Sequence, residues 1–173
     1  LENHTSEVQF QALLDSISEL KDTKTIFTKA NSDTGGRVIN CMIDSYVLVN
    51  DNSVAFTSMG QLNYLSALQF VDAVVGNSSS GLLEAPSFNV ATIDIGDRQK
   101  GRIKAESVIS CLPEKKNIDN ALKKIYSQHF QEVVKNVKNP YGDGGASKII
   151  FDTIKNFNLD NIIKNADTLA EYI

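Results

Sequence analysis

The sequence predicts an α/β protein, a parallel sheet flanked by helices. Three observations carry that expectation. Short runs rich in β-branched residues alternate with longer segments whose apolar residues recur at helical spacing. Such alternation is the pattern of parallel strands joined by right-handed crossovers. One short run, Val71-Asp72-Ala73-Val74-Val75, passes directly into the small, hydroxyl-rich turn Gly76-Asn77-Ser78-Ser79-Ser80-Gly81. Another, Thr92-Ile93-Asp94-Ile95, passes into Gly96-Asp97-Arg98-Gln99-Lys100-Gly101-Arg102, a glycine-spaced loop with three cations. Adjacent strand ends of an open α/β sheet line one crevice. The serine turn and the basic loop are therefore expected to face one another.

The elements follow in order. Over residues 5–20, Val8, Leu13, Leu14, Ile17 and Leu20 recur at helical spacing and predict an amphipathic helix. Thr25-Ile26-Phe27-Thr28 is a short strand. Asn31-Ser32-Asp33-Thr34-Gly35-Gly36 is a turn built of cap residues, and an apolar-periodic helix follows over 36–49. Val54-Ala55-Phe56-Thr57 is the next strand, with Ser58-Met59-Gly60 as its exit loop. Residues 61–70 are expected to be helical, 71–75 a strand, 79–88 a helix and 92–95 a strand. Residues 117–135 and 145–172 read as mostly helical, and 139–145 is the clearest loop. Residues 1–173 read as one domain, with no repeat or low-complexity linker.

Bulk properties exclude several classes. Lys and Arg total 17 against 21 Asp and Glu, a net charge of −4. That balance argues against a general nucleic-acid binder. Cys41 and Cys111 are the only cysteines and lack zinc-ligand spacing, so no metal or other cofactor is expected. Two cysteines leave one disulfide open, but a reduced, cytoplasmic setting fits better. No apolar run reaches membrane-spanning length and no secretory leader is visible.

The serine turn is a place to hold a phosphate. Helix N-termini leave N–H groups unpaired and carry partial positive charge, and a diphosphate satisfies both. Ser78, Ser79 and Ser80 can cap the helix and add hydroxyl donors. Glu84 lies one helical turn beyond Ser80, within reach of a sugar hydroxyl beside the phosphates. The competing reading is a plain N-cap with a satisfied carboxylate.

The stretch GNSSSGLLEAPSF, followed by IGDRQKGR and AESVI, resembles the UDP-N-acetylglucosamine 2-epimerase family. It is most similar to the hydrolysing branch, which releases N-acetylmannosamine and UDP. Asn139-Pro140-Tyr141-Gly142-Asp143-Gly144, with Ala146-Ser147 behind it, is similar to the same family, and the resemblance runs from Leu1 to about Phe157. The resemblance implies a two-domain enzyme with two Rossmann-like halves around a cleft, the architecture of B-type glycosyltransferases. This chain resembles the C-terminal half, cut from a protein about twice its size. Family members commonly carry proline where this chain has Ala91.

By the same resemblance, Ser78 and Ser79 contact phosphate, Glu84 contacts ribose and Arg98 contacts UDP. A guanidinium suits oxygen-rich anions because its planar fork donates two bonds at once. The alternative for Arg98 is a surface ion pair with Asp97 or Glu106. Asn31 and the backbone of Ser58-Met59-Gly60 are implied to hold the nucleotide; the alternative for Asn31 is an ordinary turn residue. Arg102 belongs to the motif without an assigned role. His4 and His129 are read as solvated, since neither pairs with a nucleophile.

The implied partners are UDP, a UDP-N-acetylhexosamine and the missing N-terminal domain, within a homo-oligomer. Catalytic acid–base carboxylates are implied to lie mainly on that other domain, so this chain alone is expected not to turn over. Two alternatives stay open: a UDP-sugar-dependent B-type glycosyltransferase domain, and a nonenzymatic nucleotide-sugar-binding module.

Overall fold

A computed structural model describes residues 3–30 and 34–157. The chain divides into two compact units, Leu1–Tyr141 and Gly142–Ile173. The second contributes one described helix, α7 (Ala146–Asn156), which follows glycines with positive φ at Gly142, Gly144 and Gly145.

The first unit has the expected parallel α/β organisation. Its elements run α1 (Asn3–Ser18), β1 (Thr25–Thr28), α2 (Thr34–Val49), β2 (Ser53–Phe56), α3 (Gly60–Ala67) and β3 (Ala73–Gly76). They continue with α4 (Ser80–Leu83), a 3-10 turn (Ala85–Phe88), β4 (Ala91–Ile95), β5 (Val108–Cys111), α5 (Lys115–Ile125) and α6 (Gln128–Lys135). Among the described residues β1 pairs with β2 alone, and β3, β4 and β5 form a separate three-stranded sheet with β4 in the middle. Every pairing is parallel; Ile26 lies opposite Val54, Val75 opposite Ile93, and Ile93 opposite Ile109.

Strand β4 organises the core because both of its faces are covered. Ala91 and Ile93, both fully buried, point to one face and pack with Leu13 of α1, Ile118, Leu122 and Ile125 of α5, and Phe130 of α6. Thr92 and Asp94 point to the other face, towards α4 and the loop after β4. Continuous burial of this kind is expected of a strand inside a parallel sheet. A second cluster, Leu14, Phe27 and Ile43, lies under β1 and α2, and Phe10 of α1 packs against both clusters. Each buried Leu or Ile contributes about 1.5–3 kcal/mol relative to exposure.

Three elements differ from the sequence expectation. The helix expected over 79–88 is only the single turn α4, continued after Glu84 by the 3-10 turn. Pro86 is the reason: it lacks an N–H, and its ring clashes with the carbonyl four residues back. The segment 117–135 is two helices, because the Ser127 hydroxyl accepts from Phe130 N–H (3.4 Å) and starts a new one. Strand β5 was not expected; Val108 and Ile109 give too short an apolar run to show a period. The helix expected up to residue 172 lies partly outside the described residues.

Candidate functional site

The site is built at the C-terminal ends of β3, β4 and β5. Strand β3 ends at Gly76, whose φ of 145° swings the chain into the serine turn. There the Ser78 hydroxyl accepts from Ser80 N–H (3.3 Å), and the Ser78 carbonyl accepts from Gly81 N–H (3.3 Å). Ser79 occupies the cap position with α-region dihedrals and makes no side-chain cap bond. Capping by all three serines is thus corrected: Ser78 closes the turn locally, and Ser80 turns its hydroxyl to the Tyr64 hydroxyl of α3. Among the described residues no acceptor is assigned to the N–H groups of Ser78 and Ser79. A one-turn helix sums few peptide dipoles, so attraction for an anion here rests on these local donors.

Glu84 follows one turn on, with its N–H donating to the Ser80 carbonyl (2.9 Å). Its Oε2 is buried and has no hydrogen-bond partner among the described residues. The satisfied carboxylate of the competing reading is therefore not what the structure contains. An unmatched carboxylate oxygen is an acceptor waiting for a donor. Tyr64 stands close by: burial pushes its phenol above the usual tyrosine range, the Ser80 bond works against that, and the Glu84 charge adds to it.

The turn is pressed onto the sheet at Gly81. A Cβ there would lie 2.5 Å from Thr92 Cγ2, and the Gly81 carbonyl accepts from Thr92 Oγ1 at 2.8 Å. Only glycine permits that approach.

The basic loop is held at its base and at its middle. At its base, Lys104 Nζ contacts Asp94 Oδ2 at 2.7 Å and Ser110 Oγ at 2.6 Å, closing the segment between them. The Asp94 side chain is 1% exposed, so removing the lysine would strand a buried charge. Mid-loop, buried Gln99 donates from Nε2 to the Asn77 carbonyl at 2.7 Å, clipping the loop to the serine turn. The two segments therefore meet, as the strand-end argument expects. Arg98 is exposed and makes no ion pair among the described residues, so pairing with Asp97 or Glu106 is absent. It lines a cavity of about 300 Å³ with Asn77, Ile95, Gly96, Asp97 and Leu112. Arg102 is exposed, and its N–H donates to the Gln99 carbonyl (3.3 Å).

The loop after β2 reaches the same place indirectly. The Ser58 hydroxyl accepts from Gly60 N–H (3.2 Å), Met59 precedes α3, and Tyr64 one turn later meets Ser80. Asn31 and the side chain of His4 lie outside the described residues; His129 is exposed. No cluster of potential metal ligands occurs among the described residues, and no described helix is long and apolar enough to cross a membrane.

Sequence reasoning missed Tyr64, Gln99, Asn139 and Tyr141. Asn139 Nδ2 donates to the Leu83 carbonyl (2.8 Å) and Ser87 Oγ (2.6 Å), and the Tyr141 hydroxyl donates to the Ile103 carbonyl (2.9 Å). Their motif was visible, but its contacts lie dozens of residues away in sequence.

The fold places the molecule among open parallel α/β proteins, which take ligands outside the carboxyl ends of their strands. The chain belongs to the UDP-N-acetylglucosamine 2-epimerase family, whose model matches residues 1–155. It is 39% identical over 160 residues to a GDP/UDP-N,N'-diacetylbacillosamine 2-epimerase (hydrolyzing) of Campylobacter jejuni, spanning 91% of this chain and 41% of that protein. It is 38% identical to the polysialic acid biosynthesis protein P7 of Escherichia coli, over 88% of this chain and 40% of that one. The chain thus spans about 40% of the length of these relatives. Among solved structures, a Staphylococcus aureus MnaA–UDP co-structure superposes with a TM-score of 0.71 at 21% identity, covering 87% of this chain and 40% of that one. A Methanocaldococcus jannaschii UDP-GlcNAc 2-epimerase in complex with UDP-GlcNAc and UDP gives 0.70 at 18%, covering 89% and 42%. These likenesses carry the fold.

Proposed function

We propose that this chain is the UDP-binding part of a hydrolysing UDP-N-acetylglucosamine 2-epimerase. The observation that carries the reading is the pairing of two adjoining strand ends, clipped together by Gln99 on the Asn77 carbonyl: one carries turn N–H groups and a buried Glu84 oxygen without partners among the described residues, the other an Arg98 without an ion pair among them. Donors suit a diphosphate and an acceptor suits a ribose hydroxyl. The hydrolysing 2-epimerases among the relatives support the same reading.

The reaction has two steps. UDP leaves C1 of the sugar as a proton leaves C2, giving a glycal-like intermediate; water then adds to give N-acetylmannosamine. This chain's part is to stabilise charge building on the departing diphosphate, through the Ser78–Ser79 turn and Arg98. The C2 proton and the attacking water need positioned acid–base groups, which we place on the remainder of the intact protein. A second reading of the substrate, a nucleoside-diphosphate diacetamido sugar, is favoured by the names of two relatives.

The test is calorimetric titration of the intact protein with UDP, beside Arg98→Ala and Glu84→Ala. Saturable binding is expected, weakened about tenfold or more in each variant, as for loss of a charge-assisted hydrogen bond. No binding by folded protein, or wild-type affinity in both variants, overturns the site. Product analysis then separates the reaction classes: free N-acetylmannosamine for the epimerase, a glycoside for a transferase, neither for a binding module.

A further inference from the structure

The segment 139–141 touches both walls of the site without lining it. Asn139 grips the wall that carries the serines: its amide donates to the Leu83 carbonyl at the end of α4 and to Ser87 Oγ in the 3-10 turn. Asn139 Oδ1 in turn accepts from Tyr141 N–H at 2.9 Å, across Pro140. This is an Asx-type turn, and Pro140 stiffens it by fixing its own φ without needing a donor bond. The turn aims Tyr141 at the opposite wall, where its hydroxyl donates to the carbonyl of Ile103. Ile103 closes the basic loop, one residue before Lys104 makes its ion pair with Asp94.

We infer that Asn139 and Tyr141 are positioning residues that form a strap, setting the distance between the serine turn and the loop carrying Arg98. The inference rests on the reading of this site as one for a nucleoside diphosphate. The loop needs such a tether. Its glycines Gly96 and Gly101 have φ of 81° and 82°, and its members from Asp97 to Ile103 are exposed except for Gln99. The Gln99 clip holds the middle of the loop and the Lys104–Asp94 pair holds its base. The strap joins the C-terminal end of the loop, beside the Lys104 anchor, to α4. A guanidinium donates well to a diphosphate only over a narrow range of distance and angle. Loosening the loop therefore costs anion affinity even though the strap touches no ligand.

Tyr141→Phe removes one hydroxyl and leaves the ring in place, so it tests the tether without opening a cavity. With UDP as probe, the variant is expected to bind about threefold to tenfold more weakly, the value of one hydrogen bond. With uridine, which lacks the diphosphate, binding should stay within about twofold of wild type. In an Arg98→Ala background, Tyr141→Phe should weaken UDP binding no further, because the strap acts through the arginine loop. Hydrogen exchange without ligand gives an independent reading: amides of residues 96–103 should exchange faster in Tyr141→Phe, and those of β4 should not. Asn139→Ala should give the same exchange pattern.

Unchanged loop exchange overturns the strap, whatever happens to binding. So does equal weakening of UDP and uridine, or an effect fully additive with Arg98→Ala. Failure of the folded wild-type protein to bind UDP overturns the nucleotide reading instead, and the strap then stands or falls on exchange alone.

Discussion

At the scale of single residues, environment separates groups that look equivalent in sequence. Cys41 is exposed, whereas Cys111 ends β5 partly buried beside Asp94. Burial pushes the Cys111 thiol above the usual cysteine range, and the neighbouring carboxylate pushes it the same way. Only the thiolate attacks a disulfide reagent, and a raised pKa lowers its fraction at any given pH below that value. At pH 8, Cys41 is expected to react with an aromatic disulfide about tenfold or more faster than Cys111. Stopped-flow absorbance with peptide mapping checks this, and equal rates would refute the buried placement of Cys111. Glu84 and Arg98 differ from ordinary surface charges in a comparable way. Among the described residues, each lacks the partner that a merely structural role would have provided.

At the scale of elements, the serine turn is positioned by its contact with β4 rather than by helix propensity. The single turn of α4 is too short to be stable by itself. It is held by the Thr92 hydroxyl on the Gly81 carbonyl and by Asn139 on the Leu83 carbonyl. Gly81→Ala would drive a methyl group to 2.5 Å from Thr92 Cγ2. The substitution is expected to destabilise the protein by about 1–3 kcal/mol, the usual range for overpacking. It should also weaken UDP binding as the turn lifts. Urea unfolding measures the first effect. The same substitution in a Thr92→Ser background, which deletes the clashing methyl, should cost less. An equal loss in both backgrounds would show that the approach to Thr92 is not the cause.

At the scale of the molecule, protection should be uneven. Strand β4 has a hydrogen-bonded neighbour on each side, and Ala91, Thr92, Ile93 and Asp94 are all buried. Strands β1 and β2 pair only with each other among the described residues, and Ile26, Val54 and Phe56 are exposed. Opening β1 and β2 uncovers the smaller cluster around Phe27, whereas opening β4 uncovers the larger one. In the 173-residue chain, amides of residues 92–94 are expected to exchange about tenfold or more slowly than those of 26–28 and 54–56. Native-state exchange read by mass spectrometry or NMR decides it. Comparable protection in the two sheets would remove β4 from its place as the centre of stability.

The sequence by itself determined the order and kind of most elements. Strand β1 matches residue for residue, because its β-branched run is bounded on both sides by polar, turn-forming residues. It also determined that a serine turn and a basic loop would end neighbouring strands, since alternating periods leave few topologies open. Pro86 stood in the sequence as the signal that a helix over 79–88 would break, and Ser127 as the signal for a new start. Only the tertiary structure decided how the site is held. The Tyr64–Ser80, Gln99–Asn77, Asp94–Lys104, Asn139–Leu83 and Tyr141–Ile103 contacts join residues from 10 to 56 positions apart. Local period and propensity are properties of neighbouring residues. Which distant hydroxyl, amide or carbonyl a side chain meets depends on how the sheets and helices stack, and that is settled when the core packs.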